Sequence, residues 1–348
     1  GLDWFQVILF SLFFAATGLS ITLGYHRLFS HLTFKARWPV RLFTLLFGAA
    51  AFEGSALIWT SDHRRHHKHV DQEDDPYDIS QGFWHAHIGW ILFKLKPEPP
   101  YDNVNDLRQD PFVRWQDRHV FKIAVLVGFI LPALIGWAWY QTWQGALGSL
   151  LLAGVMRVVC VQHMTFCINS LCHTIGTRPY SGKCSARDSG VMALFTFGEG
   201  YHNFHHEFQH DYRNGVKAWQ FDPTKWAIWL LAKMKMVGQL RIVPLEKILL
   251  AEIAEKERQF TLHLNSSALP LPEPSHTRWE IAQERLHQAA KNWEQKKNEY
   301  SRAAEKKMAA SREKIAELKH EFDLAAAHLR EAIQHWKETH RIVSAQFA

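Results

Sequence analysis

Residues Trp4 to Leu23 carry no charge, and as a helix they span about 30 Å, the thickness of a bilayer core. A second uncharged run, Ile123 to Met156, is interrupted by turn signals at Gln141–Gly145, which predicts a helical hairpin. Membrane spans are therefore expected at about 4–24, 121–140 and 145–167. Val40 to Trp59 is also apolar, but Glu53 and small residues break it, and histidine clusters lie on both sides of it. A crossing there would separate clusters that must meet, so this stretch is expected to stay on one face. Arg27, Lys35, Arg37 and Arg41 follow the first span, whereas the turn at 141–145 is uncharged, and the positive-inside rule then puts the histidine-rich segments in the cytoplasm. That sidedness starts the chain outside and implies an earlier span. The opening Gly1-Leu2-Asp3, without Met, likewise reads as the interior of a longer protein. Arg157, near the cytoplasmic end of the last span, is expected to snorkel or pair.

After Pro244 the chain turns to Ala, Glu, Lys, Gln and Arg, and residues 265–276 contain Pro and Ser. Trp279, Leu286, Trp293 and Tyr300 recur every seven residues; after one extra residue Met308, Ile315, Phe322, Leu329 and Trp336 repeat the spacing. The pattern predicts a coiled-coil-like helix of roughly 65 residues, about 100 Å long, that self-associates through its seam. The plainer alternative is an amphipathic helix lying on the rest of the protein. The expected organisation is all-α: a membrane domain over 1–250, a helix end and linker over 251–276, and a helical tail over 277–348.

A length of 348 residues suits two modest domains, and 40 Lys+Arg are interleaved with 34 Asp+Glu, which argues against a nucleic-acid partner. The four cysteines, Cys160, Cys167, Cys172 and Cys184, form no CxxC pair, so a stapled secreted fold and a thiolate zinc ribbon are both excluded. The anomaly is the 22 histidines. Three clusters stand out, His26-Arg-Leu-Phe-Ser-His31, His63-Arg-Arg-His66-His67 and His202-Asn-Phe-His205-His206, with a fourth piece at Asn169-Ser-Leu-Cys-His173. Helical residues three and four apart share a face, so each HxxHH aims several imidazoles at one place. Charged rings would repel there, whereas neutral imidazoles bind transition metals. Nine imidazoles exceed the four ligands of one tetrahedral site, so two metals are expected, and iron is the choice for oxygen chemistry beside a lipid phase. Asp62, Glu199 and Asp211 lie next to the boxes and are candidates to orient the rings.

GYHRLFSH, DHRRHH, NSLCH and GEGYHNFHH resemble, in order and spacing, the boxes of the membrane di-iron acyl desaturases of the stearoyl-CoA (delta-9) type, bacterial members included. The resemblance covers roughly residues 5–250. It implies that His26, His31, His63, His66, His67, His173, His202, His205 and His206 hold two irons, with Asn169 reaching the metal region through water. It also implies a four-span anchor under a cytoplasmic helical cap, with the first span absent from this chain and Val40–Trp59 in the cap. Trp59 and Thr165 match residues lining the bend of the acyl tunnel, and Glu53 stands where the animal enzymes have glutamine. Counting back from His26 places Phe14 and Gly18 at the tunnel floor, though Gly18 equally suits close helix packing. Ser61 replaces an arginine that helps bind the CoA nucleotide in the animal enzymes.

The implied activity is insertion of a cis double bond, at the delta-9 position of a C16–C18 chain, using O2 and two electrons. Acyl-CoA is the expected carrier, with acyl carrier protein or membrane lipid as the others. The chain has no GxGxxG fingerprint and no His-Pro-Gly-Gly haem motif, so a separate ferredoxin- or cytochrome-type donor is expected. The expected location is a bacterial inner membrane, with the site facing the cytoplasm. Rival readings are a related di-iron hydroxylase or ketolase and a non-catalytic metal-binding coiled-coil scaffold. His69, His85, His87, His119, His163 and His210 fall outside the matched positions and are read as core or surface residues. The tail histidines, His263, His276, His287, His320, His328, His335 and His340, are read as solvated.

Overall fold

The computed structural model describes residues 3–93, 100–266, 273–305 and 312–346. They divide into two compact units, Gly1–Val243 and Pro244–Ala348.

In the first unit, helix α1 (Trp4–Ser30) opens on Asp3, whose side chain accepts from Gln6 N at 3.1 Å. Its last eleven residues, Ser20–Ser30, wind as a π-helix and are all buried. Helix α2 (Trp38–Ala49) has 12 residues, about 18 Å, and is too short to cross a bilayer core. It lies tight against α1: a Cβ on Gly24 would stand 2.5 Å from Thr44, and one on Gly48 would stand 2.4 Å from the Tyr25 ring. Phe52 and Gly54, at φ +59° and +90°, turn the chain, and Ser55 caps α3 (Ala56–His69) by accepting from Ile58 N. The stretch Val40–Trp59 is thus two helices with a break at Glu53.

Among the described residues, α4 (Pro111–Tyr140) and α5 (Trp143–His173) are the two remaining helices long and apolar enough to cross a membrane. They form the hairpin, turning at Gln141 in the left-handed conformation and restarting at Thr142, which accepts from Gly145 N. Large apolar side chains such as Leu12, Phe121, Leu134, Trp137 and Leu151 are exposed on these spans, as lipid contact requires. This is a helical membrane protein.

Arg157 does not snorkel. It is fully buried and donates to the carbonyls of Ala153 (3.1 Å), Gly128 (2.9 Å) and Ala50. Gly128 belongs to a π-helical turn in α4, where a widened hydrogen-bond ladder makes an extra donor valuable inside lipid. Beyond the spans, a two-residue antiparallel pairing joins Lys35–Ala36 to Val237–Gly238, and short helix α6 (His202–Glu207) carries the last histidine box.

The described residues of the second unit form three helices, α7 (Leu245–Ser266), α8 (Glu273–Glu305) and α9 (Arg312–Ser344). The single long helix is corrected here, because α8 and α9 run antiparallel. Trp279 meets Trp336 at 5.5 Å between ring centroids, and Trp293 meets Phe322 at 6.3 Å. Trp279, Leu286, Trp293, Leu329 and Trp336, the residues of the heptad seam, are buried together inside the chain. That seam therefore needs no second copy to cover it. Met308 and residues 267–272 of the linker lie outside the described residues. The boundary also moves, since Ile253 and Phe260 of α7 join the same core, making 245–266 a bundle helix rather than the end of the membrane domain. His340 is not solvated but stacks on Trp336 at 4.9 Å.

Trp336 is fully buried and its Nε1 donates to Glu257 at 2.8 Å. Trp336→Ala is expected to destabilise the bundle by about 3–5 kcal/mol, seen as faster hydrogen exchange across 273–346 with exchange in α3 unchanged.

Candidate metal centre

The HxxxxH box depends on the π-helix. Residues five apart diverge by about 140° on an α-helix, but i→i+5 winding returns them to one side. The bond from His31 N to the His26 carbonyl, 3.1 Å, is of this kind. The two HxxHH boxes work at α-helical spacing from α3 and α6.

Nine imidazoles gather into two groups. His26, His31, His63, His67 and His205 form one; His66, His173, His202 and His206 form the other, and within each group the ligand atoms all lie within 4.8 Å of one another. Each HxxHH box serves both groups. The outer pair of α3, His63 and His67, joins the five-histidine group, while the middle His66 goes to the four; α6 does the reverse with His202 and His206 against His205.

The nitrogens converge. His31 and His63 approach to 2.8 Å through Nε2, and His205 Nε2 lies 3.0 Å from that of His26 and 2.9 Å from that of His67. His202 Nε2 is 3.1 Å from both His173 and His206. Burial, reinforced by the neighbouring imidazoles, holds His31, His63, His67, His202, His205 and His206 well below the ordinary imidazole pKa. The rings are thus neutral, with basic nitrogens aimed at common points. Hydrogen bonding between rings cannot satisfy all of them, because each Nε2 either carries a proton or lacks one, and His205 faces two partners. A cation in each group does so, and the donor set fits imidazole-binding transition metals. Five imidazoles also exceed a tetrahedral zinc site.

The outer nitrogens are oriented from behind. His26 Nδ1 lies 2.9 Å from Glu199, which also accepts from Arg27 (2.9 Å) and Asn214 (2.7 Å). Burial pulls Glu199 upward, but Arg27 and His26 outweigh it and keep its pKa below the usual carboxylate value. His66 Nδ1 is 2.8 Å from Asp75, and His173 Nδ1 is 2.6 Å from the Ser185 hydroxyl, which donates to Asp71. These partners leave each Nε2 free to bind metal. Of the acids singled out in the sequence, Glu199 does this. Asp62 lines the neighbouring cavity, and Asp211 holds Arg213 and Val243 N instead. Asp71, Asp75 and Ser185 were not anticipated; the acidic run just after HRRHHKH was their one signal.

A cavity of about 380 Å³ adjoins the centre. His63, Asp62 and Asn169 stand among its walls, with Glu53, Trp59, Thr165, Phe166 and Trp90. Trp59 stacks on His63 at 4.9 Å. Phe14 and Gly18 are not among the lining residues: both face Phe197, whose ring lies 2.7 Å from a Cβ built on Gly18 and 5.5 Å from the Phe14 centroid. Ser61 donates to Asn103 at 2.7 Å. His87 sits between Ser170 (2.9 Å) and His163 (3.1 Å), and His210 bonds the His31 carbonyl, as ordinary packing histidines.

A family model described as fatty acid desaturase matches residues 2–235. The chain belongs to the fatty acid desaturase family. This desaturase-family chain is 46% identical over 240 residues to acyl-CoA desaturase 1 of Saccharomyces cerevisiae, covering 68% of the chain and 46% of the relative. It is 36% identical over 220 residues to stearoyl-CoA desaturase 5 of Bos taurus (62% and 65%), and 34% identical over 239 residues to the delta(9)-fatty-acid desaturase fat-6 of Caenorhabditis elegans (67% and 70%). The match spans about half the length of the yeast relative and about two-thirds of the cattle one. Membership in the desaturase family implies iron, and the two histidine groups are able to bind metal.

Two outcomes are expected. His63→Ala and His202→Ala each remove a ligand from a different group, so each variant should hold about one iron per chain instead of two, by elemental analysis, while His328→Ala on the exposed face of α9 keeps the full load. Acidification below the ordinary imidazole value of 6.5 should lower the melting temperature of chelator-treated protein steadily. Unfolded histidines take up protons there and the buried ones do not, so stability present above that pH is lost as it falls.

Proposed function

We propose that the protein is a fatty acyl desaturase that introduces a cis double bond, at delta-9, into a saturated C16–C18 chain carried as acyl-CoA. The observation that carries this reading is the apolar cavity whose wall includes His63, a member of the five-histidine group. Two irons held there supply the chemistry by which O2, two electrons and two protons remove two vicinal hydrogens, leaving an alkene and two waters. The chain's own residues do the rest. The nine histidines fix the metal positions, with Asn169 on the cavity side able to hold a water. Trp59, Glu53 and Thr165 shape the cavity wall beside His63, which supports their role in presenting one pair of methylenes. Each buried methylene contributes about 0.8 kcal/mol, so an acyl chain is held in register by its length.

The electrons come from a separate ferredoxin- or cytochrome-type protein. The basic residues after the first span support a cytoplasmic side for the centre; a bacterial inner membrane rests on the resemblance of the boxes alone. Phe14 and Gly18 remain candidates for a tunnel floor only if the occupied cavity extends to Phe197.

The test is lipid analysis of cells expressing the protein, with double-bond position determined by mass spectrometry. A new delta-9 alkene that disappears in His63→Ala supports the reading; an alcohol or ketone product, or no new lipid from an iron-loaded protein, overturns it.

A further inference from the structure

Glu53 lies in the break between α2 and α3, and its carboxylate is part of the cavity wall. One oxygen accepts from Trp59 Nε1 at 3.1 Å and the other from the Thr165 hydroxyl at 2.8 Å. Burial pushes its pKa up to about 7, against the pull of those two hydrogen bonds. Thr165 also has a second partner, since its Oγ1 lies 3.3 Å from the Val161 carbonyl one turn back. With Glu53 ionised, the hydroxyl donates to the carboxylate. With Glu53 protonated, it can rotate to donate to Val161 and accept the acid proton. Both protonation states are therefore hydrogen-bonded with no heavy atom displaced.

The surroundings offer the charged form little. The other titratable groups on the cavity wall are Asp62, His63, Tyr77 and Tyr101, and no Lys or Arg is among its described lining residues. Tyr25 donates to the Gly54 carbonyl, Asp117 is engaged by Ser55, and Arg157 is turned to three backbone carbonyls. Water in the cavity is what remains to solvate the anion. An apolar chain that fills the cavity removes that water and penalises the ionised state further.

We propose that Glu53 couples substrate binding to proton uptake: an acyl chain enters the cavity with Glu53 protonated, and the proton leaves again when the chain does. This rests on the cavity being the acyl site. Affinity is then flat below about pH 7 and weakens as pH rises, by up to about tenfold per unit, until the value of the occupied state is reached.

The experiment is calorimetric titration of the full, iron-loaded chain with stearoyl-CoA, without an electron donor, at about pH 8 in buffers of differing ionisation enthalpy. Wild type should show a buffer-dependent heat corresponding to uptake of up to about one proton. Glu53→Gln preserves the neutral arrangement, because the amide accepts from Trp59 and donates to Thr165; it should lose that uptake and the fall in affinity above about pH 7. The CoA phosphate titrates alike with both proteins, so the difference isolates Glu53. No buffer dependence in wild type, or the same uptake in Glu53→Gln, overturns the inference alone. No binding at any pH overturns the acyl-CoA reading and the inference with it.

Discussion

Crowding nine imidazoles so that their nitrogens lie about 3 Å from one another is the constraint on which this fold depends. Protonated rings at that spacing would repel across a medium of low dielectric, and neutral rings left without partners would forfeit their hydrogen bonds. Burial guards against the first, holding His31, His63, His67, His202, His205 and His206 well below the ordinary imidazole pKa. The second is answered behind His26, His66 and His173 by Glu199, Asp75 and Ser185 on Nδ1, and the convergent Nε2 atoms are placed to take a metal. Glu199 and Asp75 are in turn held by Arg27, Asn214 and backbone amides, so the orientation of His26 and His66 is fixed two contacts deep.

The membrane adds its own demand, that no backbone group inside the spans be left unpaired. Here the π-turns and Arg157 answer each other. The helix widens to a π-turn at 126–130, and a buried guanidinium donates to the Gly128 carbonyl within it. The same arginine binds the Ala50 carbonyl at the end of α2, tying a helix that does not cross to two that do. The break after α2, which carries Glu53 into the cavity, is thereby anchored.

How much of this the sequence disclosed follows from which periods were available to read. The uncharged runs and the i, i+4 pairs of HRRHH and HNFHH are short-range signals: with HRLFSH and NSLCH they marked the spans and the nine histidines that the fold brings together. The His26–His31 pair has a spacing that no α-helix aligns, and its geometry required the π-helix that no residue in GYHRLFSH announces. In the tail, the seven-residue repeat identified the buried seam correctly and its partner wrongly, because a heptad pattern is indifferent to whether the facing helix comes from a second chain or from the same one. Packing of α7 against that seam was hidden in an ordinary amphipathic sequence.

The interleaving of the two HxxHH boxes has a consequence for the centre as a whole. Were each helix to serve one metal, the distance between the metals would vary with every shift of α3 against α6. Instead α3 gives His63 and His67 to one group and His66 to the other, and α6 divides its three in the opposite sense. Each helix therefore spans both positions, and their separation is set by side chains one residue apart on a rigid turn, a distance that thermal motion of the loops cannot change. A metal bound in either group would bridge both helices. The helical spacing of three and four is thus better understood as a ruler, which sets the interval between the two groups of imidazole nitrogens.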